Sequence, residues 1–569
     1  MRVKIVLGFL IFLLIFLLAG LFDLQIVRGN KFRLLSEKNC LRLLRQRGAR
    51  GRIFDRNGLL IVGNKLSYDL LFSGDIKSLS KKTLLQIAHI LGESEEKVRG
   101  ILKTSFSLSS LPNLVSKNLT LKEAISLEQL KTDVPGLNIQ SNPVRDYLYD
   151  DLACHLLGYL GEIDQWRLTK LESYGYKTKD IVGFGGIEEM YDYYLRDEEG
   201  GISFQVDHLG RIVRILGVRP PVNGKDIQLT IDLKMQQIIE EALGENKGAV
   251  VILDAFTGEI FALASRPSFN PKIFLQDDRN KIAKIFKDPS APLLNRAISA
   301  AYPLGSVFKL IVAIAALESK KINLNTSFVC EGALRIGKEE FKCWDTHGRV
   351  NVISSIARSC NVFFYKTGLL IGPQLIHDYA LRFGLGRPTG CDLPYEKAGF
   401  IPSPFSKKLN TFRKWFDGDT ANFSIGQGEV LVTPLQAARM LAVFINGGYL
   451  ITPYLVKSID GRAVSIKRGP EKVAIREENL RIIKEGLKRT IEDLAGTGHI
   501  LADVGIGIGG KTGTAQDPPR QPHSWFVGFL PREKPKFVIC VFLENGGPGY
   551  NACVITKKII AQMLLEGLI

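Results

Sequence analysis

Between Ile5 and Phe22 the chain runs eighteen residues without a charge, and that stretch limits what everything after it can become. As a helix, eighteen residues reach about 27 Å, close to the thickness of a bilayer's hydrocarbon core. The run is too long for the apolar centre of an ordinary secretion signal, and its exit, Leu18-Ala19-Gly20-Leu21-Phe22-Asp23, offers no small-x-small cleavage site. It reads as a retained anchor. Arg2 and Lys4 favour a cytoplasmic tail of residues 1–4, against a weaker opposing pull from Arg28, Lys31 and Arg33. No second stretch of comparable length follows, so a single-pass protein with nearly all its mass on the extracytoplasmic side is predicted.

The 569 residues are long enough for two or three domains. A formal charge of +17 would suit a nucleic-acid binder in the cytosol. The chain has no zinc-finger, RNP-like or helix-turn-helix signature, so no nucleic acid is expected. The excess cations read as solvated surface with some attraction to anionic lipid or cell-wall polymer.

Chemistry enters at Ser306 and Lys309, within Tyr302-Pro303-Leu304-Gly305-Ser306-Val307-Phe308-Lys309. Residues three apart are neighbours on a helix face. Behind them Leu310 to Leu317 is apolar on every side, which predicts a helix buried all round. Ser306 is expected in that helix's first turn, where free backbone N–H groups favour developing negative charge. Lys309, held in apolar surroundings, is expected to lose its proton readily and to serve as base for the serine. The spacing alone is weak: Ser78/Lys81 and Ser94/Lys97 repeat it in polar stretches. Two later runs strengthen it, Ser359-Cys360-Asn361 and Lys511-Thr512-Gly513-Thr514. Each has a decoy, Ser116-Lys117-Asn118 and Lys366-Thr367-Gly368. Lys511 is preferred to Lys366 because Gly509 and Gly510 suit a strand edge approached by a substrate backbone, whereas Lys366 lies in a helix-like run.

Around these runs, Asn57-Gly58 predicts a hairpin turn, and Lys81 to Leu91 a helix. Ile227 to Leu233 reads as a strand and Lys234 to Leu243 as a helix. Gly248 to Asp254 and Glu259 to Ala264 read as a buried hairpin. His523 to Phe529 and Phe537 to Leu543 read as strands, and Thr556 to Leu565 as a terminal helix. Strands at both ends with helices between predict an α+β domain, an antiparallel sheet flanked by helices. That domain is placed at 232–569, after a domain at 23–231.

In this order the three runs resemble the SxxK, SxN and KTG set of penicillin-binding transpeptidases and serine β-lactamases. With Arg145-Asp146-Tyr147, Gly183-Phe184-Gly185-Gly186-Ile187-Glu188, Asn295-Arg296-Ala297, Gly418-Asp419-Thr420, Gly426-Gln427-Gly428 and Thr433-Pro434-Leu435-Gln436, the whole chain resembles the class B penicillin-binding proteins of the elongation type. Many elongation members carry Asp at the position of Asn361, where division-type relatives often carry Asn.

The resemblance implies a non-enzymatic pedestal over 23–231 and, in the bacterial cytoplasmic membrane, a peptidoglycan D,D-transpeptidase. Ser306 would be the nucleophile toward stem peptides ending in D-Ala-D-Ala and toward β-lactams. Lys309 would be the base, and Ser359 with Lys511 the proton relay, Lys511 also keeping Lys309 neutral. Asn361 would hold the substrate amide, and Thr512, Gly513 and Thr514 the carboxylate and oxyanion end. It implies a SEDS-type glycosyltransferase as partner and no cofactor for the chemistry. A D,D-carboxypeptidase or β-lactamase would use the same residues, but a β-lactamase needs neither anchor nor pedestal. A mainly scaffolding activator of a glycosyltransferase would not need the intact set.

Cys330, Cys343, His347 and Cys360 crowd into thirty-one residues as C-x12-C-x3-H-x12-C, while the other five cysteines are scattered. A disulfide leaves one of the three cysteines over, and buried thiols packing as small apolar groups do not explain His347. Cys3His is a closed tetrahedral set suited to structural zinc. Some elongation-type members place metal ligands at matching positions, so a structural zinc beside Ser359 and Asn361 is expected.

Overall fold

A computed structural model describes residues 2–72, 80–106, 113–132, 134, 137–206, 212–276, 278–464 and 469–569. Ser78 lies outside them. The chain divides into two compact units, each assembled from three segments.

The first unit takes residues 1–51, 64–146 and 196–225. Its N-terminal helix, Arg2–Phe22, continues through a π-helical turn, Asp23–Val27, so the apolar helix runs from Val3 to Val27 and exceeds the expected 5–22. The extension has a simple cause. Leu24, Ile26 and Val27 keep the exposed surface apolar, and the one charge there, Asp23, is paired 3.0 Å from Arg28 Nε. Further on, Leu41–Gln46, Gly200–Val206 and Ile212–Arg219 form a three-stranded antiparallel sheet. A small core gathers Leu70, Phe72, Leu84, Ile87, Val98 and Leu127 beneath the helices Lys81–Leu91 and Leu121–Gln129. Arg145, nearly fully buried, donates to the Gly51 carbonyl at 2.6 Å.

The second unit takes residues 52–63, 147–195 and 226–569. Ile53 pairs with both Ile227 and Val62, and with Leu156, Leu157 and Ile187 it joins the core containing Leu229 and Ile231. The strand there is shorter than expected, Ile227–Leu229, because Asp232 leaves the sheet to cap the next helix, accepting from Lys234 N and Met235 N.

The elements that matter for the site are, in chain order, α1 (Leu233–Leu243), β1 (Gly248–Asp254), β2 (Ile260–Arg266), α2 (Lys309–Glu318), α3 (Asn361–Ile371), α4 (Asp417–Ser424), α5 (Pro434–Ile445), α6 (Glu477–Glu492), β3 (Gly509–Asp517), β4 (Arg520–Leu530), β5 (Phe537–Leu543) and α7 (Gly549–Leu565). The five strands form one antiparallel sheet in the order β2-β1-β5-β4-β3. Period-two alternation gives it two apolar faces. Val250, Ile252 and Val541 pack with Ile238 and Ile239 of α1 and Ile559 of α7. Ala249, Val251, Leu253 and Phe542 join the main core with α2, α3 and α5. This is the expected α+β architecture, and it leaves β3, which carries Lys511, at a sheet edge. From Lys309 to Leu317 every residue of α2 is buried, as its uninterrupted apolar sequence requires.

Gly368 lets α3 meet α4: a Cβ there would stand 1.7 Å from Ser424 Oγ. Gly368→Ala is therefore expected to cost about 2 kcal/mol through overpacking and to lower the melting temperature of the full chain. An unchanged melting curve would show that the crossing relaxes freely.

Candidate active site

Ser306 sits one turn earlier than expected, in a short 3-10 turn, Gly305–Phe308, that leads into α2. The turn forms because Gly305 takes φ +57°, a left-handed conformation that favours glycine. It also lies too near β3 for any side chain: a Cβ on Gly305 would be 2.6 Å from the Thr514 carbonyl oxygen. Gly513 reciprocates, with the Leu304 carbonyl and Val307 each 3.0 Å from where its Cβ would be. Trp525 of β4, opposite Gly513, donates from Nε1 to the Pro303 carbonyl at 2.9 Å. The half-buried Ser306 is thereby held against the KTG strand.

Lys309 is wholly buried at the start of α2. Its Nζ donates to the Ser359 carbonyl at 2.7 Å, to Ser359 Oγ at 3.2 Å and to Asn361 Oδ1 at 2.6 Å. Ser359 adopts φ +55°, rare for a non-glycine residue, and this bend brings its carbonyl and its hydroxyl to the same amine. Asn361 opens α3 and donates from Nδ2 to the Lys342 carbonyl at 3.2 Å, so its amide is oriented at both ends. The SxxK and SxN runs thus converge on one amine. Lys511, also wholly buried, lies in β3 with its Nζ 3.1 Å from the Thr512 carbonyl. Lys366 instead sits in α3 and donates to the Val329 carbonyl at 3.3 Å. Ser94 only caps a turn, accepting from Lys97 N, and Ser116-Lys117-Asn118 lies in a strand of the first unit.

Burial depresses both lysines. Lys309 is pushed down to about 8 by desolvation, opposed by the thiols of Cys343 and Cys360. Lys511 is pushed well below the usual lysine range by desolvation and then by the Lys309 charge. Burial is the first cause for both amines, and the like charge of Lys309 adds to it at Lys511.

Three contacts were not evident from the sequence. Gln427 donates from Nε2 to the Thr514 carbonyl at 3.2 Å and accepts from Gln516 N at 3.3 Å, so its side-chain amide pairs with the edge of β3 as a strand would. Thr497 accepts from Thr512 Oγ1 at 2.6 Å while its own N–H donates to the Ala357 carbonyl at 3.2 Å, joining the KTG strand to the segment before Ser359. Thr514 Oγ1 accepts from Gly549 N at 2.9 Å, which leaves its proton to point elsewhere. Gly426-Gln427-Gly428 was a signal for the first. Thr497, in an unremarked loop, gave none.

Next to this site the ligand atoms of Cys330, Cys343, His347 and Cys360 lie within 4.8 Å of one another. His347 Nδ1 is 3.6 Å from Cys330 Sγ and 3.5 Å from Cys343 Sγ. All three cysteines are free thiols, not a disulfide. Asn361 N donates to Cys343 Sγ at 3.2 Å and Phe363 N to Cys360 Sγ at 3.5 Å, contacts that stabilise sulfur anions. The hydrogen bond from Cys360 drives the Cys343 thiol down. Donor type, number and separation fit a tetrahedral soft cation.

Comparison with known proteins places this geometry. Residues 248–565 match the penicillin binding protein transpeptidase domain, and residues 45–229 the penicillin-binding protein dimerisation domain. The peptidoglycan D,D-transpeptidase MrdA of Acinetobacter baumannii is 30% identical over 99% of this chain and 87% of that protein. The penicillin-binding protein PBP2 of Helicobacter pylori, solved in complex with MreC, superposes with a TM-score of 0.82 at 28% identity, over 93% of this chain and 100% of that one. A chain from a structure of a peptidoglycan synthase complex that coordinates polymerisation and crosslinking gives 0.74 at 29% identity, over 98% of both. Full-length agreement in sequence, in both domain models and in fold places the chain in the class B penicillin-binding proteins, among the peptidoglycan D,D-transpeptidases of the PBP2 type.

Proposed function

We propose that Ser306 is the residue acylated in D,D-transpeptidation, with a neutral Lys309 as its base; the convergence of Lys309, Ser359 and Asn361 carries this reading. Ser306 Oγ attacks the carbonyl between the two terminal D-alanines of a stem peptide, and its proton passes to Lys309 Nζ. The oxyanion is received by the N–H groups of Ser306 and Thr514, a donor set in which each member is worth about 3 kcal/mol. The substrate's extended end lies along the free edge of β3, its carboxylate against Thr512, Gly513 and Thr514 and its amide against Asn361. Lys309 returns the proton through Ser359, 3.2 Å away, to the departing D-alanine nitrogen, with Lys511 supporting the relay. An amine of a neighbouring stem then attacks the ester and frees Ser306 as the cross-link forms. A β-lactam acylates the same hydroxyl and stays.

Around this chemistry we place the pedestal at 23–231 and the transpeptidase domain at 232–569. The apolar N-terminal helix anchors the chain, with the tail cytoplasmic and the catalytic domain extracytoplasmic, a topology that external protease digestion of spheroplasts would test. The pedestal docks a SEDS-type glycosyltransferase in wall elongation. The related chain in the peptidoglycan synthase complex supports that partner, and co-purification checks it. Zinc, held by Cys330, Cys343, His347 and Cys360, would fix the loop between Ser359 and Asn361 without entering the reaction.

Ser306→Ala should abolish the covalent penicillin adduct with the fold intact, as should Lys511→Ala, whereas Lys366→Ala should acylate normally; intact-protein mass spectrometry with peptide mapping reads all three. An adduct surviving Ser306→Ala sinks the assignment. The acylation rate should also rise with pH and level off above about 8, because only the neutral Lys309 amine accepts the serine proton and it is protonated below that value. A rate flat between pH 6 and 9 would exclude Lys309 as base. Metal analysis should find about one zinc per chain, lost in Cys343→Ser and His347→Ala together with thermal stability. Metal-free wild type with full penicillin binding would remove the zinc.

A further inference from the structure

Beside the site stands a short helix, Pro404–Thr411, followed by a loop to Phe416, whose composition the reaction does not use. Phe405, Leu409 and Phe412 fall at helical spacing on one side, 70%, 58% and 92% exposed, and Phe416 is 65% exposed. Residues 403–416 carry four cations, Lys407, Lys408, Arg413 and Lys414, and no carboxylate. Lys407 is engaged, 2.5 Å from Asp419 Oδ2. Lys408, Arg413 and Lys414 are exposed and have no ion-pair partner among the described residues. An aromatic stripe flanked by free cations is costly to leave in water and needs an occupant.

The segment is built onto the site rather than hung from it. Phe416 N donates to Asp419 Oδ2 at 2.8 Å and Trp415 Nε1 to Thr420 Oγ1 at 2.8 Å, which fixes the C-terminal end of the loop to α4. Trp415 packs on Phe423, and Phe423 stacks on Phe308, the residue before Lys309, with ring centroids 5.9 and 5.3 Å apart. At its other end α4 meets Phe341, 3.1 Å from where a Gly418 Cβ would lie, and the neighbouring Lys342 carbonyl receives Asn361 Nδ2. The segment is therefore packed, through α4, against residues next to Lys309 and Asn361.

We propose that residues 404–416 form a strand-binding subsite for peptidoglycan, in which Phe405, Phe412 and Phe416 take the apolar faces of glycan rings and Lys408, Arg413 and Lys414 pair with stem-peptide carboxylates. This rests on the transpeptidase reading and extends it from the reacting dipeptide to the polymer carrying it. The match is chemical. Sugar C–H faces stack on aromatic rings, and stem peptides carry free carboxylates that exposed cations can pair with. A lipid surface is the rival occupant, since apolar and basic side chains also suit anionic headgroups.

The test uses the detergent-solubilised full chain, isolated peptidoglycan sacculi, and phosphatidylglycerol/phosphatidylethanolamine vesicles. Phe412→Ser paired with Phe405→Ser, and Arg413→Glu paired with Lys414→Glu, should each weaken sacculus co-sedimentation about tenfold. Phe256→Ser, an exposed phenylalanine in the β1–β2 turn, should not. On polymeric strands these pairs should raise KM and leave kcat within about twofold, the signature of lost ground-state binding. Unchanged sacculus binding in both pairs overturns the proposal, as does loss of vesicle binding with sacculus binding kept. Penicillin acylation is followed in parallel: its absence from wild type would refute the serine chemistry, whereas its retention in variants that no longer bind sacculi isolates the subsite.

Discussion

The burial of one amine organises this site. Lys309 is enclosed at the head of a fully apolar helix, and a charged ammonium there would forfeit its hydration. Two consequences follow. The amine is depressed to about 8, into the range where it takes a proton at working pH. While it is protonated, its three N–H donors must also be met by protein oxygens, and Ser359 O, Ser359 Oγ and Asn361 Oδ1 meet them. The left-handed turn at Ser359 is tolerated because it delivers two of those acceptors at once. Its cost, about 1–3 kcal/mol, is modest against leaving a buried amine unsatisfied.

Contact between the Ser306 turn and the KTG strand is a second constraint, and it is steric. Gly305 and Gly513 face one another across a gap with no room for a methyl group, and Gly426 closes the third side, its missing Cβ 2.3 Å from the Gly305 carbonyl oxygen. Trp525 and Gln427 then lock the arrangement with hydrogen bonds to Pro303 and Thr514. Gln427 has a double effect. It satisfies the edge of β3 beyond Thr514, as a neighbouring strand would.

The cysteine cluster and the 404–416 segment support the site from outside. Cys343 receives the N–H of Asn361, and Cys360 lies between Ser359 and Asn361, so whatever fixes those sulfurs fixes both polar side chains around Lys309. The aromatic series Trp415, Phe423 and Phe308 reaches the same lysine from the opposite direction through packing alone. Both rely on side chains whose sequence neighbours say little about where they point.

Much was legible in the sequence because it was local. The span over Ile5 to Phe22, the buried helix after Lys309, the strands over Gly248 to Asp254 and Phe537 to Leu543, and the ordered SxxK, SxN and KTG runs all write their roles in periodicity or spacing. The crowding of Cys330, Cys343, His347 and Cys360 was visible in the same way. Long-range packing decided the rest. Residues 52–63 and 147–195 cluster with the C-terminal unit because Ile53, Leu156 and Ile187 join its apolar core, Ile53 pairing with the distant Ile227. Ser306 occupies a 3-10 turn and not the α-helix, since the Thr514 carbonyl crowds Gly305. Thr497 became a link between two motifs only when the strand and the loop met. The depression of both buried lysines is likewise set by their removal from water in the folded core. Sequence fixes which groups are present and which face each segment must hide; only the closed core determines how far each charge is from water, and that distance sets the chemistry.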